Sequence, residues 1–193
     1  MTIRREQKEA RREEILQAGL EVFVRKGYAA AKISDIAKEA GMSTGLLFHY
    51  FESKESLYRE LLEMSIAGPA MLMQMPSSDA LSFFEMAAAF LLENIQSSTF
   101  TAKMFIFATQ SYLAGDAPID AESRKRRSDI FDASVPLIKE GQADGTLREG
   151  DPLALAVAFW MSITGVAQML AAFPDYPCPE SDWLVDIIRR KKK

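Results

Sequence analysis

The stretch 33–51, ISDIAKEAGMSTGLLFHYF, constrains the fold of this chain most, because its pattern is that of two short helices joined by a glycine. The first helix is indicated by apolar residues at helical spacing, namely Ile33, Ile36, Ala37 and Ala40. Gly41 then ends it, since glycine adopts the left-handed backbone conformation at little cost. Ser43 or Thr44 can cap the second helix, which would turn Leu47, Tyr50 and Phe51 back onto the first. The pattern predicts a helix-turn-helix, whose second helix enters a DNA major groove.

The side chains that face outward around this unit are the candidate DNA contacts. Lys32 comes just before the first helix, where its ammonium would meet a phosphate near the amino end of that helix. The exposed face of the second helix is predicted to carry six residues: Ser43, Thr44, Gly45, Leu46, Phe48 and His49. Gly45 would let the backbone approach the duplex closely, while Thr44 and Leu46 would touch a thymine methyl group. Lys54, in the SKESL segment that opens the next helix, is a further predicted phosphate contact.

The segment GMSTGLLFHYFESKESLY strongly resembles the DNA-binding segment of the tetracycline-repressor (TetR) family. Members of that family have a pattern similar to G-V-S-x-G-x-x-Y-x-Y-F-x-S-K-x-x-L over this stretch. The resemblance implies DNA contacts for His49 and Lys54. It also shows two departures: Phe48 stands where the family usually has tyrosine, and Leu46 where it often has threonine or a small residue. Both departures make the contact surface more apolar, and the first removes a hydrogen bond to phosphate.

The resemblance extends to about residue 65, and the rest of the chain is predicted to be helical from its apolar periodicity. Helices are expected over 13–26, 53–67, 80–95, 101–113, 122–141, 151–173 and 180–190. Ser53 is the expected cap of the helix 53–67, Gly68–Pro69 is expected to break or kink it, and a loop is expected at 115–118. The fold class is therefore all-α. Residues 1–52 are expected to form a helix-turn-helix DNA-binding domain, and residues 53–193 a helical ligand-binding and dimerisation domain.

The charge distribution favours a dimer on the DNA. The net charge is −4, but residues 1–60 carry 11 Lys and Arg against 10 Asp and Glu, while the remainder carries 12 against 17. One weakly basic subunit would bind DNA poorly, whereas two copies on one operator would double the phosphate contacts. Within residues 1–12, basic residues alternate with Glu6 and Glu9. This segment is either an arm that reaches phosphates or a minor groove, or a frayed and solvated helix start, and the second interpretation is favoured.

The segment 152–173, PLALAVAFWMSITGVAQMLAAF, is apolar and long enough to span a bilayer. It also presents a face of small residues, Ala154, Ala158, Ser162 and Gly165, on which another helix can pack closely. Such faces occur in membranes as well as in soluble dimers. The family resemblance decides between them, because it implies dimer-forming helices in this part of the chain. We therefore expect a homodimer formed through the last two helices, and no membrane insertion.

The middle of the chain is rich in aromatic residues and methionine. One interpretation is a cavity for an apolar or aromatic small molecule, lined by Phe84, Phe105, Tyr112, Trp160 and Met161. The other is an ordinary hydrophobic core. Gln168, Gln110 and Tyr112 are the polar candidates for orienting such a ligand.

Other classes of function lack their signals in this sequence. Cys178 is the single cysteine and His49 the single histidine, so neither an internal disulfide nor a Cys/His zinc site is expected. No phosphate loop or paired-carboxylate motif is present, and we expect no enzyme, no cofactor and a cytoplasmic protein without a secretory signal. The predicted function is ligand-controlled transcriptional regulation, with repression as the favoured direction. Two alternatives are a helical small-molecule carrier without DNA binding and a membrane-anchored sensor that uses residues 152–173 as its span.

Overall fold

The computed structural model describes residues 3–113 and 117–191, and within them it contains nine helices, one isolated antiparallel bridge between Leu147 and Arg189, and no strand. The helices are α1 (Ile3–Ala30), α2 (Ile33–Glu39), α3 (Thr44–Phe48), α4 (Lys54–Leu72), α5 (Ala80–Ser97), α6 (Thr99–Leu113), α7 (Ala121–Ala143), α8 (Pro152–Ala172) and α9 (Ser181–Val185). The predicted all-α fold class is confirmed.

Helix α1 is longer than the sequence pattern predicted. It begins at Ile3 rather than at residue 13, so the described part of the segment 1–12 is helical. The pattern predicted that the helix ends before Gly27; instead Gly27 interrupts it, with a φ of 74° and a ψ of 168°, and the helix continues to Ala30. Gly19 sets how closely α1 and α4 cross, because a Cβ atom placed there would lie 2.8 Å from a methyl carbon of Leu57.

A first set of buried side chains, which we call the N-terminal core, joins α1, α2, α3 and the first half of α4 to α6. Tyr58 of α4 packs edge-on against Phe23 of α1, with ring centroids 5.1 Å apart, and lies 4.9 Å from the ring of Phe107 in α6. The buried members of the N-terminal core include Ile15, Leu20, Phe23, Ile36, Leu47, Leu57, Tyr58, Leu61 and Phe107. The packing around the helix-turn-helix therefore extends past residue 52 into α4 and takes in a residue of α6.

A second set, the C-terminal core, lies between α5, α7, α8 and α9. Phe159 of α8 packs edge-on against both Phe84 and Trp160, at 4.9 Å in each case. The indole Nε1–H of Trp160 donates a hydrogen bond to Oγ of Ser134 in α7 over 2.8 Å. Because Ser134 is buried, this bond satisfies two polar groups that would otherwise be costly to remove from water.

Two helix ends differ from prediction. Helix α4 does not break at Gly68–Pro69 but continues to Leu72. Burial on both sides of the proline accounts for this, since Ile66 lies in the N-terminal core and Leu72 in the C-terminal core. Helix α9 covers 181–185 rather than 180–190, because the chain after it pairs with the segment before α8: N–H groups of Arg148 and Arg190 donate to Ile188 and Thr146 over 2.9 Å. Residues 115–116 of the expected loop lie outside the described residues.

Candidate nucleic-acid interface

The turn between α2 and α3 has the backbone geometry that the sequence predicted. Gly41 adopts a φ of 63°. The N–H of Met42 donates to the carbonyl of Ala37 over 2.9 Å, and that of Gly41 donates to Lys38 over 3.1 Å. These two bonds form a Schellman motif, which requires the left-handed conformation at Gly41. The turn thus fixes the direction in which α3 leaves α2.

Helix α3 has five residues, too few to be stable by itself. Ser43 caps it, since its Oγ accepts a hydrogen bond from the N–H of Leu46 over 3.2 Å. Leu47 anchors it, with 0% of its surface exposed in the N-terminal core. Ala37 is also buried, as expected for a close crossing of the two helices. Tertiary packing through one side chain therefore holds this helix against the domain.

The opposite side of α3 carries the predicted DNA contacts. Leu46 is 40% exposed and Phe48 is 49% exposed, which is unusual for large apolar side chains. The other exposed members of the predicted set on this helix and its caps are Ser43, Gly45 and His49, while Thr44 is half-buried. A Cβ atom at Gly45 would meet nothing within 4 Å, so the backbone there is open to a close partner. We call Ser43, Gly45, Leu46, Phe48 and His49 the α3 face.

Lys32 lies at the amino end of α2 with its side chain exposed. Its backbone N–H donates to the carboxylate of Asp35 over 3.1 Å, and Asp35 also pairs with Lys26 over 2.8 Å. The hydrogen bond from Lys26, followed by that from the Lys32 backbone, lowers the pKa of Asp35 below its ordinary value. The carboxylate thus stabilises the start of α2, and the Lys32 ammonium stays exposed.

Lys54 has a structural role that the sequence did not reveal. Its ammonium donates hydrogen bonds to the carbonyl oxygens of Tyr28 and Ala31 over 2.7 and 2.9 Å, and it lies 4.2 Å from the ring centroid of Tyr28. A cation is stabilised at the carboxyl end of a helix by the exposed carbonyl groups. Lys54 therefore fastens the start of α4 to the end of α1. An ammonium has three donors, and the phosphate contact of Lys54 stays a prediction.

Arg12 was not singled out as an individual site by sequence reasoning. Its guanidinium forms an ion pair with Glu60 of α4 and lies 4.7 Å from the ring centroid of Phe51, which follows α3 closely in the chain. The partners are 48 and 39 positions away, so no local pattern announces them. Arg12 and Lys54 tie α1 to α4 at two separate points and thereby orient the α3 face.

The six predicted ligand-binding residues differ in how far they are buried. Phe84 and Trp160 are buried with ring centroids 6.4 Å apart, and Phe105 packs half-buried against the same core. Tyr112 is 52% exposed and Met161 is 44% exposed, while Gln168 is half-buried. Gln110, the other polar candidate, donates to the carbonyl of Val24 over 3.2 Å. A ligand-binding role for this set stays a prediction.

Two clefts on the described residues lie away from that set. One, of about 320 Å³, is lined by Arg148, Glu149, Arg189 and Lys191. The other, of about 380 Å³, lies between α1 and the end of α2 and is lined by Glu14, Gln17, Ala18, Glu21, Glu39 and Ala40. Neither touches a predicted ligand-binding residue.

Comparison with known proteins places this geometry among bacterial regulators. Residues 15–61 match the family model described as "Bacterial regulatory proteins, tetR family". The chain is 26% identical over 159 residues to the transcriptional repressor KstR2 of Mycolicibacterium smegmatis, covering 82% of this chain and 78% of the relative. It is also 26% identical over 178 residues to the regulator YfiR of Bacillus subtilis, covering 90% and 86%.

Solved structures share the whole fold. The MbdR regulator from Azoarcus sp. CIB aligns with a TM-score of 0.70 and 21% identity, over 91% of this chain and 95% of that one. The ketosteroid transcriptional regulator KstR2 of Mycobacterium tuberculosis aligns with a TM-score of 0.68 and 19% identity, over 94% and 96%. At these identities the likeness concerns the fold alone.

Proposed function

Because the chain belongs to the TetR family of bacterial transcriptional regulators, we propose that it is a repressor which binds its DNA operator as a homodimer and is released by a small apolar or aromatic molecule. The α3 face is the observation that carries the proposal. It leaves two large apolar side chains exposed beside a glycine, on a helix that the turn and Leu47 hold in place. An exposed apolar group on a short helix that fits a major groove has an evident partner in the methyl group of thymine.

Each residue of the α3 face has a distinct role in this proposal. Leu46 and Phe48 contact base edges and thymine methyl groups, while His49 and Ser43 supply hydrogen-bond donors to phosphates or bases. Gly45 allows the backbone to approach the duplex. Lys32 and Lys54 neutralise phosphates of the duplex.

Binding to a duplex taken from the DNA that flanks the coding region tests this role. The Phe48→Ala and His49→Ala variants are expected to lose at least about tenfold in operator affinity, equivalent to ~1.4 kcal/mol each, with unchanged unfolding curves. Phe90→Ala is the matched control, because Phe90 is similarly exposed but lies on α5. Selective binding that survives both α3 variants would contradict the assigned surface.

Failure to find any selective duplex, after a search beyond the flanking DNA, would favour the alternative of a small-molecule carrier. Two observations favour that alternative: Phe48 and Leu46 depart from the family pattern, and the net charge is −4. The two functions are separated by the affinity for operator over random DNA at the same salt concentration.

We propose α8 as the main dimer contact. Its outer side exposes Leu153, Val157 and Met161 by 41 to 44%, and Met169 similarly, although the helix has no charged residue. Its length and composition would also allow it to cross a membrane, with a mean hydropathy of 1.8. A second copy of α8 explains the same apolar face in a DNA-binding protein, since homodimer interfaces resemble a domain core cut in two. The role of α9 as the partner helix stays a prediction, and of its five residues Trp183 is well exposed.

Gly165 offers a direct test of the dimer. A Cβ atom there would meet nothing within 4 Å inside the subunit. Gly165→Leu is therefore expected to leave the subunit folded and to shift the sedimentation equilibrium toward monomer by at least tenfold in dissociation constant. Gly68→Leu is the control, because Gly68 of α4 is equally open but lies outside α8. A chain that needs detergent to stay in solution would instead support the membrane-anchored alternative.

Helix α6 is the proposed route from effector to DNA. Its Phe107 lies in the N-terminal core, its Ser111 accepts a hydrogen bond from the Tyr58 hydroxyl over 2.6 Å, and its Lys103 pairs with Glu21 of α1. The same helix packs on α8. An effector that displaces α6 would thus shift α1 and α4 together and change the spacing of the two α3 faces. Only a ligand with different affinities for the two spacings can do this.

An apolar effector is favoured by the aromatic residues of the C-terminal core. A screen of apolar ring compounds for release of the labelled operator tests the proposal. Release by such a compound supports it, and release only by charged metabolites would contradict the class.

A further inference from the structure

The first three turns of α1 carry a charge pattern that becomes meaningful only because the segment is helical. We call residues 3–12 the α1 extension. Its residues 5–11 are all exposed, so no part of the described chain covers them. Arg12, at its inner end, forms an ion pair with Glu60 of α4 and lies over the ring of Phe51.

Positive and negative side chains lie on different sides of the α1 extension. Successive residues of an α-helix are about 100° apart, which places Arg5, Lys8, Arg11 and Arg12 within an arc of about 120°. The acidic residues Glu6, Glu9, Glu13 and Glu14 all fall outside that arc. An alternating charge pattern in the sequence thus becomes a basic side and an acidic side in the helix.

The basic arc continues the buried side of α1. Ile15, Gly19 and Val22 lie within the same arc, and all three are buried in the domain. From Ile15 onward, this side is covered by the rest of the N-terminal core. Residues 5–11 extend beyond the N-terminal core. On them the same side of the helix carries cationic residues instead of apolar ones.

The α1 extension begins beside the carboxyl end of α3. The Arg12 guanidinium lies over Phe51, whose N–H donates to the carbonyl of Leu47 in α3 over 3.0 Å. From Arg12 to Ile3 the helix extends by about 14 Å, at about 1.5 Å per residue. The major groove is about 12 Å wide, so the extension is long enough to cover the distance between the two edges of a groove.

We propose that the basic arc of the α1 extension binds the phosphate backbone next to the operator groove, with Lys8 and Arg11 as its main contacts. The inference rests on the proposed DNA-binding function and adds to it a second contact surface on each subunit. The ion pairs Arg5–Glu9 and Arg11–Glu14 are solvent-exposed, at 2.9 and 2.5 Å. Exposed pairs of this kind are weak, so a phosphate can replace the glutamate as partner.

Salt dependence of DNA binding tests the proposal, because each phosphate contact contributes about 0.9 to the slope of log K against log salt. The double variant Lys8→Gln/Arg11→Gln removes four contacts from a dimer and should reduce the slope by about 3.6. The loss should be similar on operator and on a random duplex, since phosphate contacts carry no sequence information. Lys139→Gln, on an exposed position of α7, is the control for the loss of one charge and should leave the slope unchanged.

A charge exchange distinguishes position from net charge. Lys8→Glu/Glu9→Lys keeps the composition and the net charge but moves the cation by about 100° around the helix. Weaker binding by this variant, with unchanged helix content by circular dichroism, supports the proposal. An unchanged slope in the double variant, or full affinity after the exchange, would overturn it and leave the extension as a solvated helix end. Absence of DNA binding in the wild-type chain would instead refute the proposed function itself.

Discussion

The two cores of this molecule differ in what they leave uncovered. Around the N-terminal core, large exposed apolar side chains occur on the α3 face, where they stand beside polar residues and a glycine. Around the C-terminal core, they follow the outer side of α8 over most of its length, without a charged residue. A small mixed surface suits a polar duplex with methyl groups in its groove, whereas a long apolar one suits another copy of itself.

Polar links of two kinds fasten the helices of the two cores. Charged side chains connect α1 to α4 in the N-terminal part, through Lys54 and Arg12. In the C-terminal part, a buried neutral bond connects α7 to α8, from Trp160 to Ser134. Each part also has a link of the other kind: the Tyr58 hydroxyl donates to Ser111 in the N-terminal core, and Arg189 pairs with Glu85 of α5 in the C-terminal part.

The largest effect is expected from a substitution of Phe107, which lies on α6 but packs in the N-terminal core. Phe107→Ala is expected to lower the free energy of unfolding by about 3–5 kcal/mol, because it leaves a cavity between Phe23 and Tyr58. Denaturant unfolding measures the loss. Phe90→Ala, on an exposed position, should cost only about 0.5 kcal/mol. Equal effects of the two variants would mean that α6 is not part of that core.

Two glycines allow a direct comparison between a packed helix face, at Gly19 of α1, and an uncovered one, at Gly165 of α8. Gly19→Ala would place its Cβ 2.8 Å from Leu57, and overpacking of this kind costs about 1–3 kcal/mol. Within the subunit Gly165→Ala meets open space, so it should stabilise the helix by about 0.5–1 kcal/mol when unfolding is measured at concentrations where the chain is monomeric. Thermal unfolding of both variants gives the comparison. Destabilisation by Gly165→Ala would indicate that α8 is already covered within the subunit.

The neutral link of the C-terminal core is tested by Ser134→Ala. The substitution removes the acceptor of the Trp160 indole and should cost about 1–2 kcal/mol, with a change in tryptophan fluorescence. Ser162→Ala is the matched control on α8, because the Ser162 hydroxyl donates only to the carbonyl of Phe159 over 2.7 Å. A loss of stability no larger than the control's would show that the indole bond contributes little.

The smallest expected effect concerns the charged contacts of α2. The pKa of Asp35 is lowered by Lys26 and by the Lys32 backbone. Its contribution to stability is therefore present above the ordinary carboxyl pKa of 3.8 and is lost as the pH falls through the lower folded value. Wild type should be more stable than Asp35→Asn at about pH 7, and the difference should shrink toward about pH 3. A difference that stays constant over this range would contradict the assigned cause.

Local patterns predicted most of the helix-turn-helix. The Gly41 turn, the Ser43 and Ser53 caps, and the burial of Ala37 and Leu47 all depend on interactions within a few residues, and each is confirmed. Helix ends set by distant contacts were predicted less well. The continuation of α4 past Pro69 and the early end of α9 depend on burial and pairing with segments far away in the chain.

The individual DNA contacts and the division at residue 52 stay predictions. The N-terminal core extends into α4 and includes Phe107, so the packing around the helix-turn-helix does not end at residue 52. For the predicted ligand-binding set, the sequence could not tell buried residues from exposed ones. An aromatic residue in a helix has the same sequence signal whether it lies in a core, as Phe84 does, or on the surface, as Tyr112 does.

The sequence by itself determined the all-α class, the helix-turn-helix and the family resemblance, because these depend on periodicity, caps and a glycine within a short stretch. Only the tertiary structure decided what the long-range contacts do: that Lys54 closes the end of α1, that Arg12 lies over Phe51, and that α6 joins both cores. It also placed the basic and acidic residues of the α1 extension on separate sides of a helix. The alternating sequence does not show this separation, because it depends on the helical backbone of residues 3–12.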